Sequence, residues 1–172
     1  DITLLGQNVN SYHYRDIEFP QLLKRISQDV PDMLRLRFVT SHPKDLSDAL
    51  VMEMADNPKL CEHIHLPLQS GNDEILHRMN RNYSYKHYLD RILALRSAIP
   101  DISLTTDLIA GFPGESEAQF EDTLAAMREI EYDYAFCFKY SSREGTEAAG
   151  FIDQLPEAIR LERLQRMIDL QR

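Results

Sequence analysis

Cysteine is scarce in this sequence: Cys61 and Cys137 are the only two among 172 residues. They are far apart and share no metal-type spacing, so no thiolate cluster loop can be assembled from this chain. Both read as ordinary half-buried thiols, and a reducing cytoplasm is the compartment that suits them. Positive charge is also short, with 19 Lys and Arg against 28 Asp and Glu and a formal net charge of -9. No basic patch is large enough to bind nucleic acid unaided, so an RNA substrate would need most of its phosphate-binding surface elsewhere. No apolar run approaches the roughly 18 residues of a membrane span, and no signal peptide is visible. Missing too are a G-x-G-x-x-G fingerprint, a Gly-Lys-Ser/Thr phosphate loop, a His-x-x-x-His pair and a G-x-S-x-G elbow. Their absence removes dinucleotide binding, a phosphate-loop site, a hydrolytic metal centre and Ser-His catalysis from the leading readings.

What is present alternates. Five apolar runs predict strands: "ITLLG" from residue 2, "LRLRFVT" from 34, "HIHLPL" from 63, "DISLTTDLIAG" from 101 and "YAFCFKY" from 134. Between them, apolar residues recur at the helical period. Phe19, Leu22, Leu23, Ile26 and Val30 form one such stripe; Leu46, Leu50 and Met54 form the next. Residues 73 to 97 carry two, broken near "NRNYS"; Phe120, Leu124 and Met127 form another, and Leu161, Leu164 and Ile168 the last. Ser116 and Gln119 have capping-box spacing. The alternation predicts an α/β fold with a parallel sheet and right-handed crossovers, in one domain over 1–172. Five units are too few for an eight-fold barrel. The chain starts inside an apolar run and stops inside a helical pattern, as a piece of a longer protein does.

Side-chain parity favours a barrel wall over a doubly wound sheet. Ile64, Leu66 and Leu68 share one face of their strand, and His63, His65 and Gln69 the other. Leu36 and Phe38 oppose Arg35 and Arg37; Ser103, Thr105 and Asp107 share a face, as do Cys137, Lys139 and Ser141. One face of each strand is thus apolar and one polar, which suits helices outside and a polar cavity inside. Ligands in parallel βα folds sit at the C-terminal strand ends. Here those ends read "GQNVNS", "TSHP", "LPLQSGND", "DLIAGFPGE" and "YSSREGT", all polar or glycine-rich. Gly111 and Gly114 permit positive φ or close approach to a flat ligand, and Pro113 stiffens the turn; a purely structural turn is the alternative. His63 and His65, one strand repeat apart, reach either one metal or buried hydrogen-bond partners. "RMNRNYSYKHY" mixes Arg and Lys with Tyr, as RNA-stacking surfaces do, but also as a solvated helix–loop–helix junction does.

The motifs "LLGQNVNSY", "RLRFVTSHP", "HLPLQSGND", "DLIAGFPGE" and "YSSREGT", in this order, resemble the radical S-adenosylmethionine methylthiotransferases over essentially the whole chain. "GQNVNSY" and "TSHP" point to the branch that makes 2-methylthio-N6-dimethylallyladenosine in tRNA. The resemblance implies a partial TIM-type barrel: five parallel βα units of a (β/α)6 radical domain. The first strand and its C-x3-C-x2-C cluster loop lie outside this chain, with an N-terminal cluster domain and a C-terminal RNA-binding domain. It implies S-adenosylmethionine and two [4Fe-4S] clusters as cofactors of the full-length protein, no cluster and no activity in this piece alone, and tRNA as partner through regions mostly outside it. The sulfur and electron donors are not legible. By resemblance, Gln69 and Ser70 lie near the cofactor ribose or methionine, Ile109, Gly111 and Phe112 line the adenine, and Arg143 meets the carboxylate. Asn8, Ser41, His42 and Asp107 orient cofactor or substrate, and no residue is a metal ligand. A methylthiotransferase acting on threonylcarbamoyl-adenosine or on a ribosomal protein, and an inert barrel scaffold, remain open.

Overall fold

A computed structural model describes residues 1–39 and 41–172, so Thr40, in the second predicted run and the "TSHP" rim, lies outside the described residues. In chain order the strands and α-helices are β1 (Ile2–Leu4), β2 (His13–Tyr14), β3 (Ile17–Glu18), α1 (Phe19–Asp29), β4 (Leu36–Phe38) and α2 (Asp48–Asp56). There follow β5 (His63–His65), α3 (Asp73–Arg78), α4 (Tyr85–Ala98), β6 (Ser103–Ala110), α5 (Glu117–Ile130), β7 (Tyr134–Lys139) and α6 (Glu157–Gln171). The five predicted runs thus contain β1, β4, β5, β6 and β7, and the six helical stripes match α1 to α6. Two compact units are built from interleaved pieces, residues 1–67 with 89–105 and residues 68–88 with 106–172.

In the first unit β1 and β4 pair in parallel, Ile2 opposite Leu36, and Leu36 bridges onward, also in parallel, to Leu60. β5 pairs in parallel with the start of β6, His63 opposite Ser103. Leu36 and Phe38 are buried while Arg37 between them is exposed, the alternation that a half-buried strand requires. Phe38 meets the buried Phe19 of α1 edge-on, with ring centroids 5.1 Å apart. Helix starts follow the side chains that satisfy their free N–H groups. Gln21 Oε1 accepts from Glu18 N at 3.1 Å at the head of α1, and Ser47 Oγ accepts from Leu50 N at 3.2 Å at the head of α2. The hairpin of β2 and β3 was not expected from the sequence; it is only two residues per strand, closed over Arg15 at φ 55.

In the second unit Leu108 and Ala110 of β6 are fully buried, alternating with half-buried Asp107 and Ile109. The chain after β5 extends the ladder: Gln69 N donates to Asp107 O and Ile109 N to Gln69 O, both at 2.9 Å. The predicted capping box exists, Ser116 N donating to Gln119 Oε1 at 2.8 Å and Gln119 N to Ser116 Oγ at 3.2 Å. β7 departs from expectation. Tyr134, Phe136 and Phe138, expected on the covered apolar face, are its exposed residues, while Ala135 is buried. Small Ala135 lets α6 pack on β7, and Lys139 turns its ammonium to Glu157 at the start of that helix. The polar-face rule that holds on β6 therefore reverses here.

Two contacts fix the loops of this unit. Gly71 packs on the backbone of α5: a Cβ there would lie 2.5 Å from Asp122 O and 2.8 Å from Thr123 Cα. Thr123 Oγ1 accepts from Gly71 N at 3.0 Å, which draws the loop onto the helix. At the other turn, Glu115 and Arg163 are both buried and lie 2.7 Å apart. Glu115 Oε2 also accepts from Gly111 N at 2.8 Å, and Arg163 Nη1 also donates to Glu115 O at 2.9 Å. Burial holds the Glu115 carboxyl above the usual carboxylate range, opposed by the Gly111 N–H and the Arg163 guanidinium. Exposed Glu117, bonded to Arg166 at 2.5 Å, is held below that range.

Gly71→Ala should cost about 1–3 kcal/mol of stability, because the methyl group meets backbone that cannot yield locally; a chemical denaturation midpoint unchanged from wild type would contradict this. Arg163→Met strands the Glu115 charge, at a cost of about 3–5 kcal/mol near neutral pH. That loss should shrink in acid, where Glu115 takes up a proton. A raised native pKa means that the native state holds the proton at higher pH, so stability falls as pH rises from the ordinary value through the native one. Glu117 acts oppositely, stabilising above its ordinary value and losing that contribution as pH falls through its native one. Carboxyl carbon NMR titration should place the Glu115 midpoint above, and the Glu117 midpoint below, the ordinary value.

Candidate functional site

A cavity of about 660 Å3 opens in the second unit at the ends of β6 and β7. That size suits a small-molecule ligand. Gln69, Asp107, Ile109, Phe112 and Arg143 line it, so five of the ten residues singled out by the sequence meet at one place. A groove of about 530 Å3 between β7 and the end of α6 contains none of the ten. Its walls are largely aromatic, with Gln171 and Arg172 at the helix end.

Gln69 is the most constrained of the five. It is buried, and its backbone is left-handed at φ 72. That conformation costs a non-glycine residue about 1–2 kcal/mol. The ladder bonds to Asp107 and Ile109 hold it there. Strain of this kind, at a strand end facing a cavity, points to function rather than folding. Ser70 next to it is fully buried, its hydroxyl 3.3 Å from Thr123 Oγ1 and accepting from Asn72 N at 3.2 Å. Ser70 thus shapes the loop behind Gln69. Gly111 sits at φ 72, and a Cβ there would lie 2.5 Å from Arg160 Cγ. The close approach made at Gly111 is to α6. Ile109 and Phe112, on either side of it, supply the apolar wall.

Arg78 and Arg81, read in the sequence only as part of the mixed basic and aromatic stretch, also line the cavity, as does Tyr140, which the sequence did not single out. Arg78 Nε, Arg81 Nε and the Tyr140 hydroxyl are buried atoms with no hydrogen-bond partner among the described residues. Arg78 is paired with Asp153, while Arg81 and Arg143 add positive charge to the lining that favours an anion. The signal for Arg81 was Asn80. At φ 56 it ends α3 in the left-handed cap that Asn tolerates, and Arg81 N closes the turn on Leu76 O at 2.9 Å. Arg78 also bonds Asp153 at 2.7 Å and lies over the Phe151 ring at 5.0 Å, which straps residues 147–153 beside the opening. Two of the three tyrosines of "RMNRNYSYKHY" are unavailable for stacking, and the third, Tyr85, is half-buried and donates to Glu129 at 2.6 Å. Tyr83 and Tyr88 are buried, Tyr83 donating to Leu68 O at 3.0 Å, and burial pushes its phenol up to about 12.

In the first unit, Asn10 clamps His42 through its backbone: His42 N donates to Asn10 Oδ1 at 2.8 Å and Asn10 Nδ2 to His42 O at 3.0 Å. Asn8 Nδ2 donates to Asp45 Oδ2 at 2.7 Å, and His42 Nδ1 accepts from Lys44 N at 3.3 Å. Ser41 is buried with no partner for its hydroxyl among the described residues. His63 Nε2 and His65 Nδ1 both bond Thr105 Oγ1, at 3.1 and 3.0 Å, so the hydrogen-bond alternative holds for this pair. Among the described residues no group of three His, Cys, Asp or Glu side chains could hold a metal ion. Burial raises the Cys137 thiol to about 11, far from the thiolate that a metal takes. No helix among the described residues is long and apolar enough to cross a membrane.

The model of the radical SAM superfamily matches residues 1–127. The tRNA-2-methylthio-N(6)-dimethylallyladenosine synthase of Treponema denticola is 52% identical over 99% of the chain and 40% of its own length. The synthases of that name from Endomicrobium trichonymphae and Thermoanaerobacter sp. strain X514 are 53% and 51% identical, over 91% and 99% of the chain. In these two the matched part is 37% of the relative, so the chain spans about 40% or less of the length of the curated relatives it matches. Among solved structures, coproporphyrinogen III oxidase from Escherichia coli, a radical SAM enzyme, superposes with a TM-score of 0.68 at 19% identity, over 87% of this chain and 36% of its own. SuiB of Streptococcus suis, solved with S-adenosylmethionine bound, gives a TM-score of 0.50 at 12% identity, over 92% of this chain and 41% of its own. The likeness identifies the fold as the α/β, TIM-type arrangement of these enzymes. From its superfamily match over most of its length, its fold and its strand-end motifs, the chain belongs to the radical SAM superfamily.

Proposed function

We propose that this chain is part of the catalytic domain of a cytoplasmic tRNA methylthiotransferase that modifies C2 of N6-dimethylallyladenosine beside the anticodon. The observation that carries the reading is identity above 50%, over nearly the whole chain, to relatives named for that product. The cavity fits S-adenosylmethionine by its chemistry. The guanidinium groups of Arg81 and Arg143 suit a carboxylate, Gln69 and Asp107 suit ribose hydroxyls, and Ile109 and Phe112 suit a flat adenine. When bound beside an iron–sulfur cluster, that cofactor supplies the radical chemistry needed to open an unreactive C–H bond. The protein's residues bind and orient. Arg81, and Arg143 at the rim, hold the carboxylate. Gln69, pre-set by its strained backbone, fixes the ribose against Asp107. Phe112 and Ile109 exclude water from one face of the base. Ser70 and Gly111 hold the two loops that carry these groups. The cluster ligands, most of the RNA surface, and the contacts to sulfur and electron donors belong to the rest of the longer protein.

Nucleoside analysis by mass spectrometry tests the reading. Cells lacking the gene should lose 2-methylthio-N6-dimethylallyladenosine from tRNA and accumulate the unmethylthiolated base. Loss of the threonylcarbamoyl counterpart, or of a ribosomal-protein methylthio group, would shift the substrate. No change in any of these would leave a scaffold. A second expectation separates site from fold. Gln69→Gly relieves left-handed strain worth about 1–2 kcal/mol while adding about 0.5–1 kcal/mol of chain entropy, so stability should hold or rise slightly. Affinity of the full-length enzyme for S-adenosylmethionine should nevertheless fall about tenfold, the worth of one good hydrogen bond. Calorimetric titration beside a thermal melt measures both.

A further inference from the structure

The hairpin of β2 and β3 stands in the loop between β1 and α1, after the C-terminal end of β1, the side on which ligands of parallel βα folds sit. Its first foot is fixed. Val9 and Asn10 are buried, and the Asn10 amide bonds both the N–H and the carbonyl of His42 beyond β4. Its second foot runs into α1 at Phe19, buried against Phe38. From this rigid base the tip is turned to solvent. Tyr14 is 54% and Tyr12 38% exposed, and His13, Arg15 and Asp16 are exposed beside them. The Arg15 guanidinium lies over the Tyr14 ring, 5.2 Å from its centroid. Arg15 reaches that place from a left-handed backbone, φ 55, where glycine would sit without strain. Glycine would serve the turn better, so the arginine retained there points to use of its side chain.

We propose that this tip is an RNA contact, on which one unpaired base of the tRNA anticodon loop stacks against the Tyr14–Arg15 pair. The assignment rests on the tRNA reading above, and none of its residues lines the cavity of the second unit. The charge pattern selects the kind of RNA. His13 and Arg15 are offset by Asp16 and Glu18, so the hairpin has little attraction for the dense phosphates of a duplex. An unpaired base offers a flat face instead. Aromatic rings and guanidinium planes both stack on such a face, and that gain does not depend on net charge. A protein partner fits less well. The exposed neighbours of Tyr14 in the hairpin, His13, Arg15, Asp16 and Glu18, are all polar, whereas a protein interface is built around an apolar centre.

The test is an anisotropy titration of two RNAs with the full-length, cluster-loaded enzyme: an anticodon stem-loop carrying N6-dimethylallyladenosine, and a blunt duplex of the same stem. Wild type, Tyr14→Ala, Tyr14→Phe and Arg15→Gly are compared, each with a thermal melt and a titration of S-adenosylmethionine. Tyr14→Ala should bind the stem-loop about tenfold more weakly, the worth of one stacked base, and the duplex as wild type does. Tyr14→Phe should keep the stem-loop affinity. Arg15→Gly should weaken it severalfold, with a melting temperature no lower than wild type because the left-handed backbone is relieved. Affinity for S-adenosylmethionine should be the same in all four, which separates this surface from the cavity. Unchanged stem-loop affinity in Tyr14→Ala overturns the proposal while the substrate reading stands. So does equal weakening for both RNAs, or weakening with a lowered melting temperature in both Tyr14→Ala and Arg15→Gly, which marks the hairpin as structural. If wild type does not bind the stem-loop, the tRNA reading falls, and this assignment with it.

Discussion

The buried carboxylate of Glu115 is the constraint on which the second unit's site depends. It binds the N–H of Gly111 at one end of a five-residue turn and the guanidinium of Arg163 from α6 at the other. Through these bonds the end of β6, the turn and α6 become one rigid piece. Gly111 must be glycine within that piece, because its φ is 72 and Arg160 fills the place of a side chain. The wall residues Ile109 and Phe112 flank Gly111, so their placement follows from a charge pair that never touches the cavity. Burying such a pair is costly, and the network of bonds to both oxygen-bearing groups is what makes it tolerable. The second carboxyl oxygen, Oε1, has no partner among the described residues, in keeping with a carboxyl held above its usual range.

The other wall is set by backbone conformation. Gln69 and Asn80 both adopt left-handed φ, one pinned by ladder bonds and one as a helix cap. Each turns the chain so that a polar side chain, Gln69 itself or the Arg81 that follows Asn80, borders the cavity. Residues 147–153 add a strap, tied by Arg78 to Asp153 and by Gly114 N to Asp153 O at 2.8 Å. The cavity is thus bounded by groups whose positions are over-determined, with Gln69, Asp107, Arg81 and Arg143 among its polar lining. That combination is expected of a preorganised ligand site.

Much of this was legible in the residues. The alternation of Leu36 and Phe38 with Arg37, and the shared face of Ser103, Thr105 and Asp107, placed strands and faces, because a pleat sends neighbours to opposite sides. Ser116 and Gln119 announced a helix start because local hydrogen bonds satisfy local donors. The rim segments named the loops that would carry ligand groups. β7 misled, since Tyr134, Phe136 and Phe138 look like core, and only the packing of α6 on Ala135 decided which side was covered. The short hairpin of β2 and β3 was hidden because two-residue strands have no period to detect.

Order of elements, strand parity, caps and family motifs were determined by the sequence itself, because each depends on residues within a turn or two of one another. The tertiary structure alone decided which rim residues share a cavity: Gln69, Asp107, Ile109, Phe112 and Arg143 converge in the second unit, with Arg78, Arg81 and Tyr140 beside them. It also decided that Gly111 packs against Arg160, that Ser70 bonds Thr123, and that Glu115 meets Arg163 across 48 residues. Those contacts join segments whose separation in the chain says nothing of their distance in space, and a pattern read along one strand cannot show what the fold brings to meet it.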